Sequence, residues 1–175
     1  MLNDFAFGVV VVADAGEILT LQRAAYVTEA QLYDHVRLPA LTQSLDELRA
    51  ELEQGIAFKA TARNGRVVGA VRAAVKGNTL HVGRLTVAPD QQGKGIGSVL
   101  LRQVEQAAPA GTRKYALFTG HLSGANLRLY ERHGYLEVRR EPLHADVTLV
   151  HLEKAVALPP LTVRARPLRS TRGAT

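Results

Sequence analysis

Gln91-Gln92-Gly93-Lys94-Gly95-Ile96-Gly97 is the stretch that decides the fold, and the residues RLTVAP (84–89) stand shortly before it. It lies between a predicted strand that ends at Val87 and a predicted helix that opens near Gly97. Glycines let successive backbone N–H groups point toward one spot, and a helix N-terminus adds partial positive charge. The stretch therefore predicts a loop that binds an anion, most simply a pyrophosphate.

Two familiar phosphate-binding motifs do not match this stretch. The dinucleotide fingerprint Gly-x-Gly-x-x-Gly is excluded because its third glycine, Gly97, arrives one residue early. A P-loop needs Gly-Lys-Ser or Gly-Lys-Thr, whereas Lys94 is followed by Gly95. The preceding strand is also predicted to belong to an antiparallel meander, so the βαβ unit of the nucleotide folds is missing.

Upstream of the glycine stretch, the sequence predicts one strand and two helices. The apolar run at residues 9–12 predicts the strand, and Asp14 with Glu17 has the spacing of a capping box that opens the first helix. Pro39 ends that helical region. Ser44 with Glu47 predicts a second capping box, and the chain reaches Gly55 where a left-handed helix cap would follow.

Three antiparallel strands are predicted next. Apolar residues alternate over 56–62 and 67–73, and Asn64-Gly65 between them is typical of a tight hairpin turn. After a turn at Gly77, a third strand runs to Val87. Its apolar residues change from even to odd positions at Gly83, which predicts a one-residue β-bulge there.

Downstream, the apolar spacing from Ile96 to Ala108 predicts an amphipathic helix. We then expect a buried strand at 114–119, a short helix at 122–133, and a closing strand pair at 135–139 and 147–152. The element order is β-α-α-β-β-β-α-β-α-β-β, an α/β fold with a mixed sheet. We expect one domain over residues 1–154 and a flexible, Arg-containing tail over 155–175.

Composition narrows the class of protein. The 175 residues are 46% hydrophobic and 22% charged, values typical of a globular domain, and no apolar run is long enough to span a bilayer. The absence of cysteine excludes disulfides, thiolate metal sites and a cysteine nucleophile, and it suits the cytoplasm. Four of the six net positive charges lie in the tail, so the body at +2 lacks the basic face that nucleic acids require.

With these residues in view, the sequence resembles the GCN5-related N-acetyltransferase (GNAT) family. Gln92-x-x-Gly95-x-Gly97 matches the family signature Arg/Gln-x-x-Gly-x-Gly/Ala. The segment 126–135 matches a second family segment that has an Asn, then a Tyr, then a Gly-aromatic pair, and it includes Asn126 and Tyr130. The predicted element order agrees with the family from about residue 8 to residue 152.

The resemblance implies acetyl-CoA as cosubstrate, without a metal. It implies that the strand carrying Leu85 and Val87 splays away from the strand carrying Leu117, so that main-chain groups of Leu85 and Val87 pair with pantetheine. The N–H of Leu85 or Val87 would polarise the thioester carbonyl. The residues that the resemblance assigns to cofactor binding are Leu85, Val87, Gln92, Gly93, Lys94, Gly95, Gly97, Ser98, Asn126 and Tyr130.

The resemblance also implies catalytic roles. Tyr130 matches the general acid that protonates the leaving thiolate. An alkylamine has a pKa of about 10, so attack needs a base. His81, on the predicted third strand of the meander, matches a position where some relatives carry a catalytic Glu or His. Glu29 and His121 are alternative bases.

Three functions stay open on the sequence alone. The first is an N-acetyltransferase that acts on a primary amine of a small molecule or peptide, by direct attack in a ternary complex. The second is a non-catalytic acyl-CoA-binding sensor or interaction module. The third is nucleic-acid binding through the tail, which the charge distribution disfavours. A homodimer is an open expectation, and no membrane partner is expected.

Overall fold

The computed structural model describes residues 2–144 and 146–157. The predicted tail falls almost wholly outside the described residues. The strands are β1 (Phe5–Val9), β2 (Ile56–Ala62), β3 (Val67–Lys76), β4 (Thr79–Val87), β5 (Lys114–Gly120), β6 (Leu136–His144) and β7 (Val147–Ala155). The α-helices are α1 (Ala15–Leu32), α2 (Pro39–Thr42), α3 (Leu45–Gln54), α4 (Ile96–Gln106) and α5 (Gly124–Arg132).

The strands form one sheet of seven in the order β1-β2-β3-β4-β5-β7-β6. Strands β1 to β4 are an antiparallel meander, β4 and β5 are parallel, and β7 pairs antiparallel with both β5 and β6. The predicted mixed α/β fold is confirmed. Within the described residues, no helix is both long enough and apolar enough to cross a membrane.

The two parallel strands pair over only three residues. Their register runs from Thr79 opposite Lys114 to His81 opposite Ala116 and stops there. Beyond that point β4 keeps its pairing with β3, while β5 keeps its pairing with β7. Main-chain groups of residues 82–87 and 117–120 therefore face a gap, and the expected splay is confirmed.

Helices cover both faces of the meander. On one face, α4 packs so closely on β3 that a Cβ at Gly69 would lie 2.8 Å from Ile96 Cγ2 and 2.9 Å from Leu100 Cδ1. On the other face, the buried Arg72 of β3 donates to Gln22 of α1. The core under α4 includes Leu100 and other fully buried residues, each contributing about 1.5–3 kcal/mol when completely buried.

The first strand lies earlier than the apolar run predicted. Strand β1 ends at Val9, and Val12–Asp14 is a 3₁₀ turn. The position of β1 is set by its pairing with β2, because residues 5–9 pair with residues 58–62. Val11 and Val12 are exposed, so the apolar run misled the prediction.

Helix α1 begins where it was predicted, but not through the predicted capping box. Asp14 Oδ2 accepts the N–H of Val11 at 2.8 Å, and its Oδ1 pairs with Lys59 at 2.6 Å. Glu17 accepts the N–H of Val67 at 2.7 Å. Glu17 and Oδ1 of Asp14 thus make tertiary contacts, and Oδ2 of Asp14 caps the 3₁₀ turn that precedes α1.

The predicted capping box of α3 is confirmed, because Ser44 and Glu47 bond reciprocally. Gly55, however, is extended at φ −105° rather than left-handed. A Cβ there would lie 3.0 Å from the carbonyl of Glu51 and 3.2 Å from that of Ala73, so crowding explains the glycine. The one-turn helix α2 was not predicted.

The predicted hairpin and bulge are confirmed. Gly65 has φ +86° in the turn between β2 and β3. Ala70 faces Thr86 and Arg72 faces Gly83, so the two residues 84 and 85 lie opposite Val71. Strand β5 is less buried than predicted, because Phe118 is 57% exposed.

Candidate active site

The glycine turn forms the N-terminus of α4. Gly93 has φ +76° and Gly95, the N-cap residue, has φ +85°, a region that non-glycine residues rarely occupy. The first hydrogen bond of this helical turn runs from the N–H of Val99 to the carbonyl of Gly95 at 3.2 Å. The N–H groups of residues 96–98 thus have no acceptor within the helix, as is usual at a helix start.

Side chains of the turn leave this backbone open. Gln92 Nε2 donates back to the carbonyl of Val87 at 3.2 Å, which ties the turn to the end of β4. Lys94 Nζ donates to Gln91 Oε1 at 2.7 Å, and its ammonium stays exposed. A Cβ at Gly93 would meet no atom within 4 Å, so the turn has room for an anion.

Gly97 connects the turn to the gap between β4 and β5. An added Cβ there would lie 3.5 Å from Leu129, 3.8 Å from Val87 and 4.0 Å from Leu85. The half-buried side chains of Leu85 and Val87 pack on this side, while their main chain lines the gap. The structure therefore brings the predicted cofactor residues of β4, of the turn and of α4 together, with Ser98 in the first turn of α4.

Tyr130 lies on α5 and is buried, with its ring 6.0 Å from that of Tyr135. Burial raises the pKa of the Tyr130 phenol, and the nearby Tyr26 and Glu29 raise it further. Among the described residues, the Tyr130 hydroxyl has no hydrogen-bond partner. It is a protonated donor that is free to meet a ligand.

Glu29, at the end of α1, joins the start of α5. Its carboxylate accepts from Ser123 Oγ at 2.5 Å and from Asn126 Nδ2 at 3.5 Å. Asn126 Nδ2 also lies 3.5 Å from Thr119 Oγ1 on β5. Together with the influence of Glu29 on Tyr130, these contacts bring three predicted site residues into one cluster.

His81 stands apart from that cluster. It is exposed, and it is the last residue of β4 that pairs with β5. It lies opposite Ala74 of β3 and opposite Ala116 of β5. Even this exposed ring is partly desolvated, which lowers its pKa, and the cations Lys76 and Lys114 lower it further. Within the described residues it makes no hydrogen bond to Glu29 or Tyr130.

His121 has a structural role. Its Nδ1 accepts the N–H of Thr148 at 3.1 Å, and its ring lies 5.7 Å from the ring of Tyr33. The same Nδ1 lies 3.3 Å from the carbonyl oxygen of Thr148, so both main-chain groups of Thr148 contact this nitrogen. These contacts hold the His121 ring against β7.

Sequence reasoning missed Tyr33 and Ser123. The Tyr33 hydroxyl accepts the N–H of Leu122 at 2.8 Å and lies 3.4 Å from Ser123 Oγ. A Cβ at Gly120 would overlap the Tyr33 phenol, so that glycine makes room for it. No local motif indicates these contacts, since the partners lie about 90 positions apart. Residues 2–144 and 146–157 contain no group of three or more His, Cys, Asp or Glu placed to hold a metal.

Two curated proteins resemble parts of the chain. It is 33% identical over 90 residues to the UPF0157 protein YqkA of Bacillus subtilis, a match that covers 51% of this chain but only 25% of that protein. It is 31% identical over 102 residues to the IAA acetyltransferase of Azospirillum brasilense, covering 57% of this chain and 67% of that one. The chain thus spans about a quarter of the first relative.

A solved structure shares the fold. The PaiA N-acetyltransferase of Thermoplasma acidophilum, crystallised with coenzyme A, superposes with a TM-score of 0.69 at 17% identity, covering 87% of this chain and 99% of that one. The sequence profile described as the Acetyltransferase (GNAT) domain matches residues 28–156, which is well over half of the chain. This chain therefore belongs to the GNAT acetyltransferase family.

Proposed function

We propose that this protein transfers an acetyl group from acetyl-CoA to a primary amine of a small molecule or peptide. One observation carries the proposal: the left-handed glycine turn at the N-terminus of α4 opens beside the gap between β4 and β5. A diphosphate at the turn would leave a long thiol arm to enter that gap. The family membership and the coenzyme A bound to the PaiA structure support the same choice of cosubstrate.

The residues at the turn fit the pyrophosphate of acetyl-CoA. N–H groups of residues 93–98 supply donors, Lys94 supplies an exposed cation, and Gly93 leaves the approach open. Main-chain groups of Leu85 and Val87 supply donors and acceptors for the amides of the pantetheine arm. The N–H of Leu85 or Val87 would also bind the thioester oxygen as charge develops on it.

Acetyl-CoA supplies the thioester, and the chain's residues move two protons. The amine nitrogen forms a bond to the acetyl carbon, and the bond from that carbon to sulfur breaks. We assign protonation of the departing sulfur to Tyr130, whose raised pKa keeps its proton at neutral pH. We assign removal of the amine proton to His81, through a water, with Glu29 as the alternative base.

The cofactor part of the proposal can be tested with two matched glycines. Gly95 and Gly111 both have positive φ, at +85° and +91°, so alanine strains the backbone similarly at each. Gly95→Ala should weaken coenzyme A binding at least about tenfold in calorimetry, because it distorts the anion loop. Gly111→Ala, in the exposed loop before β5, should bind like wild type.

An absence of heat when coenzyme A is added to the wild-type chain would refute the proposal. The chain could instead bind coenzyme A yet release no thiol from acetyl-CoA with any acceptor tested. If polyamines, amino sugars, amino acids and peptide amino termini all fail in this way, the result would support a non-catalytic acyl-CoA-binding module. A cytoplasmic location, a single domain that ends near residue 154 and a homodimer remain parts of this proposal.

A further inference from the structure

Arg84 occupies an unusual position beside the gap. It is the first residue of the β4 bulge, adopts φ +51° and is half-buried. A positive φ is uncommon for a residue with a Cβ and is usually kept where the surroundings demand it. Within the described residues, its guanidinium makes no hydrogen bond and no ion pair.

A second guanidinium lies behind Arg84. Arg72 is only 8% exposed and pairs with Gly83, the residue before the bulge. Its Nη2 donates to Gln22 at 3.0 Å and approaches Gln43 at 3.3 Å. Its buried Nε lies 3.1 Å from a carboxylate oxygen of Glu51 yet makes no hydrogen bond.

Positive charge exceeds negative charge around this pair. Burial lowers the pKa of Arg72, Glu51 opposes that effect, and Arg84 lowers the pKa further, so the two guanidinium groups interact. Arg23, a third cation, donates to the carbonyl of Gln43 at 3.1 Å. Among the described contacts of these three cations, Glu51 is the single carboxylate, and its side chain is half-exposed.

Helix α1 connects these cations to the surroundings of Tyr130. Gln22 of α1 accepts from Arg72 at 3.0 Å, and Glu29, seven residues later on the same face of α1, accepts from Asn126 of α5 at 3.5 Å. Asn126 lies one helical turn before Tyr130, so Glu29 is close to the part of α5 that carries Tyr130. This side of α1 therefore has the cations Arg72 and Arg84 near one end and the carboxylate of Glu29 near the other.

We propose that the acceptor amine carries a carboxylate, which Arg84 binds while the amine faces Glu29 and Tyr130. This inference rests on the proposed function and makes an amino-acid-like molecule the substrate class. An arginine fork binds a carboxylate through two parallel hydrogen bonds, and a half-buried site strengthens the attraction. The same excess of positive charge disfavours polyamines, because like charges would meet at Arg84.

The test uses matched acceptors with the full chain. The protein amino acids, β-alanine and 4-aminobutyrate are each compared with their own carboxamides, by thiol release from acetyl-CoA. We expect the best acceptor to be an acid, with kcat/KM about 10- to 100-fold above its amide, as a charged hydrogen bond would give. Arg84→Gln should reduce this acid-to-amide ratio at least about tenfold, mainly through KM of the acid.

Two further variants make the result specific. Arg84→Lys should give an intermediate ratio, because the ammonium keeps the charge but loses the fork. Arg113→Gln removes the same charge from an exposed residue in the loop before β5, and it should leave the acid-to-amide ratio unchanged. A structural role for Arg84 would lower both acid and amide turnover and would not move the ratio.

Several outcomes would overturn the inference. They are a wild-type preference for amides, no acid accepted at all, or the same ratio in Arg84→Gln as in wild type. If the chain binds coenzyme A and acetylates amines that lack a carboxylate, but no amino acids, the proposed function stands and the carboxylate site is refuted. If coenzyme A does not bind, the proposed function itself is refuted.

Discussion

At the scale of single residues, Tyr130 on α5 and Tyr135 just after it are both buried, but their hydroxyl groups have different surroundings. Tyr135 donates its hydroxyl proton to Glu105 at 2.9 Å and is fully buried. Tyr130, five positions earlier, keeps its hydroxyl without a partner among the described residues. Satisfied buried polar groups stabilise a fold, whereas a donor left free in a cleft is available to a ligand.

Replacing each tyrosine by phenylalanine tests this distinction. Tyr130→Phe should lower kcat by about 100-fold or more, since a general acid contributes roughly 10²–10⁴, with coenzyme A affinity unchanged. Tyr135→Phe should cost about 1–3 kcal/mol of unfolding free energy, because Glu105 loses a partner, and should keep kcat. Thiol release and urea unfolding measure the two effects. Wild-type turnover in Tyr130→Phe would remove Tyr130 from its assigned role.

His81 predicts a pH dependence. A base must be neutral to accept the amine proton, and the pKa of His81 lies below its usual 6.5, so His81 is neutral at pH 7. The rate kcat should therefore fall only below pH 6.5, as the imidazole gains a proton. His81→Gln should lower kcat and remove this acid limb. If the limb persists in His81→Gln and disappears in Glu29→Gln, Glu29 is the base.

At the scale of elements, the contact of α4 with β3 sets where the glycine turn sits. Gly69 allows that contact, because Ile96 and Leu100 occupy the space of its absent side chain. Ile96 is the first residue of α4, so this packing also holds the anion-binding end of the helix. The position of the turn relative to the gap thus depends on a glycine in a neighbouring strand.

Gly69→Ala should destabilise the protein by about 1–3 kcal/mol, because the added methyl group overpacks the contact of α4 with β3. Gly8→Ala in β1 is the matched control, since a Cβ there meets nothing within 4 Å. Thermal unfolding should show a lower Tm for Gly69→Ala alone. Equal Tm values for the two variants would contradict the packing argument.

At the scale of the whole molecule, a partly buried ion pair connects β7 to α4. Lys154 of β7 donates to Glu105 of α4 at 2.6 Å, and its ammonium lies 5.6 Å from the ring centre of Tyr135. Lys154 is 27% exposed and Glu105 10% exposed at their side chains, so water screens the pair little. This contact connects residues 49 positions apart.

Lys154→Met should destabilise the chain by about 1–3 kcal/mol, because it leaves the Glu105 carboxylate buried without its cation. Adding Glu105→Gln to that variant should recover part of the loss, because the uncompensated charge is then gone. Urea midpoints of the single and double variants measure this. A double variant less stable than Lys154→Met would show that the charge is not the cause.

Local signals in the sequence determined much of this protein. The glycine turn, the Ser44 capping box, the Asn64-Gly65 hairpin and the bulge after Gly83 each depend on neighbouring residues, so short-range sterics and hydrogen bonds are enough to predict them. Of the site, the turn and the positions of Tyr130 and Asn126 were predicted from motifs. The sequence misplaced β1, because the position of that strand depends on its pairing with β2.

Tertiary structure alone decided the rest. Asp14 and Glu17 have the spacing of a helix cap, yet each bonds to a distant strand. Ser123 reaches Glu29 across 94 positions. The positive surroundings of Arg84 arise because β3 brings Arg72 beside the bulge. Side chains that lie far apart in the chain acquire partners only when the sheet and helices assemble. The sequence pattern alone does not indicate which partners those will be.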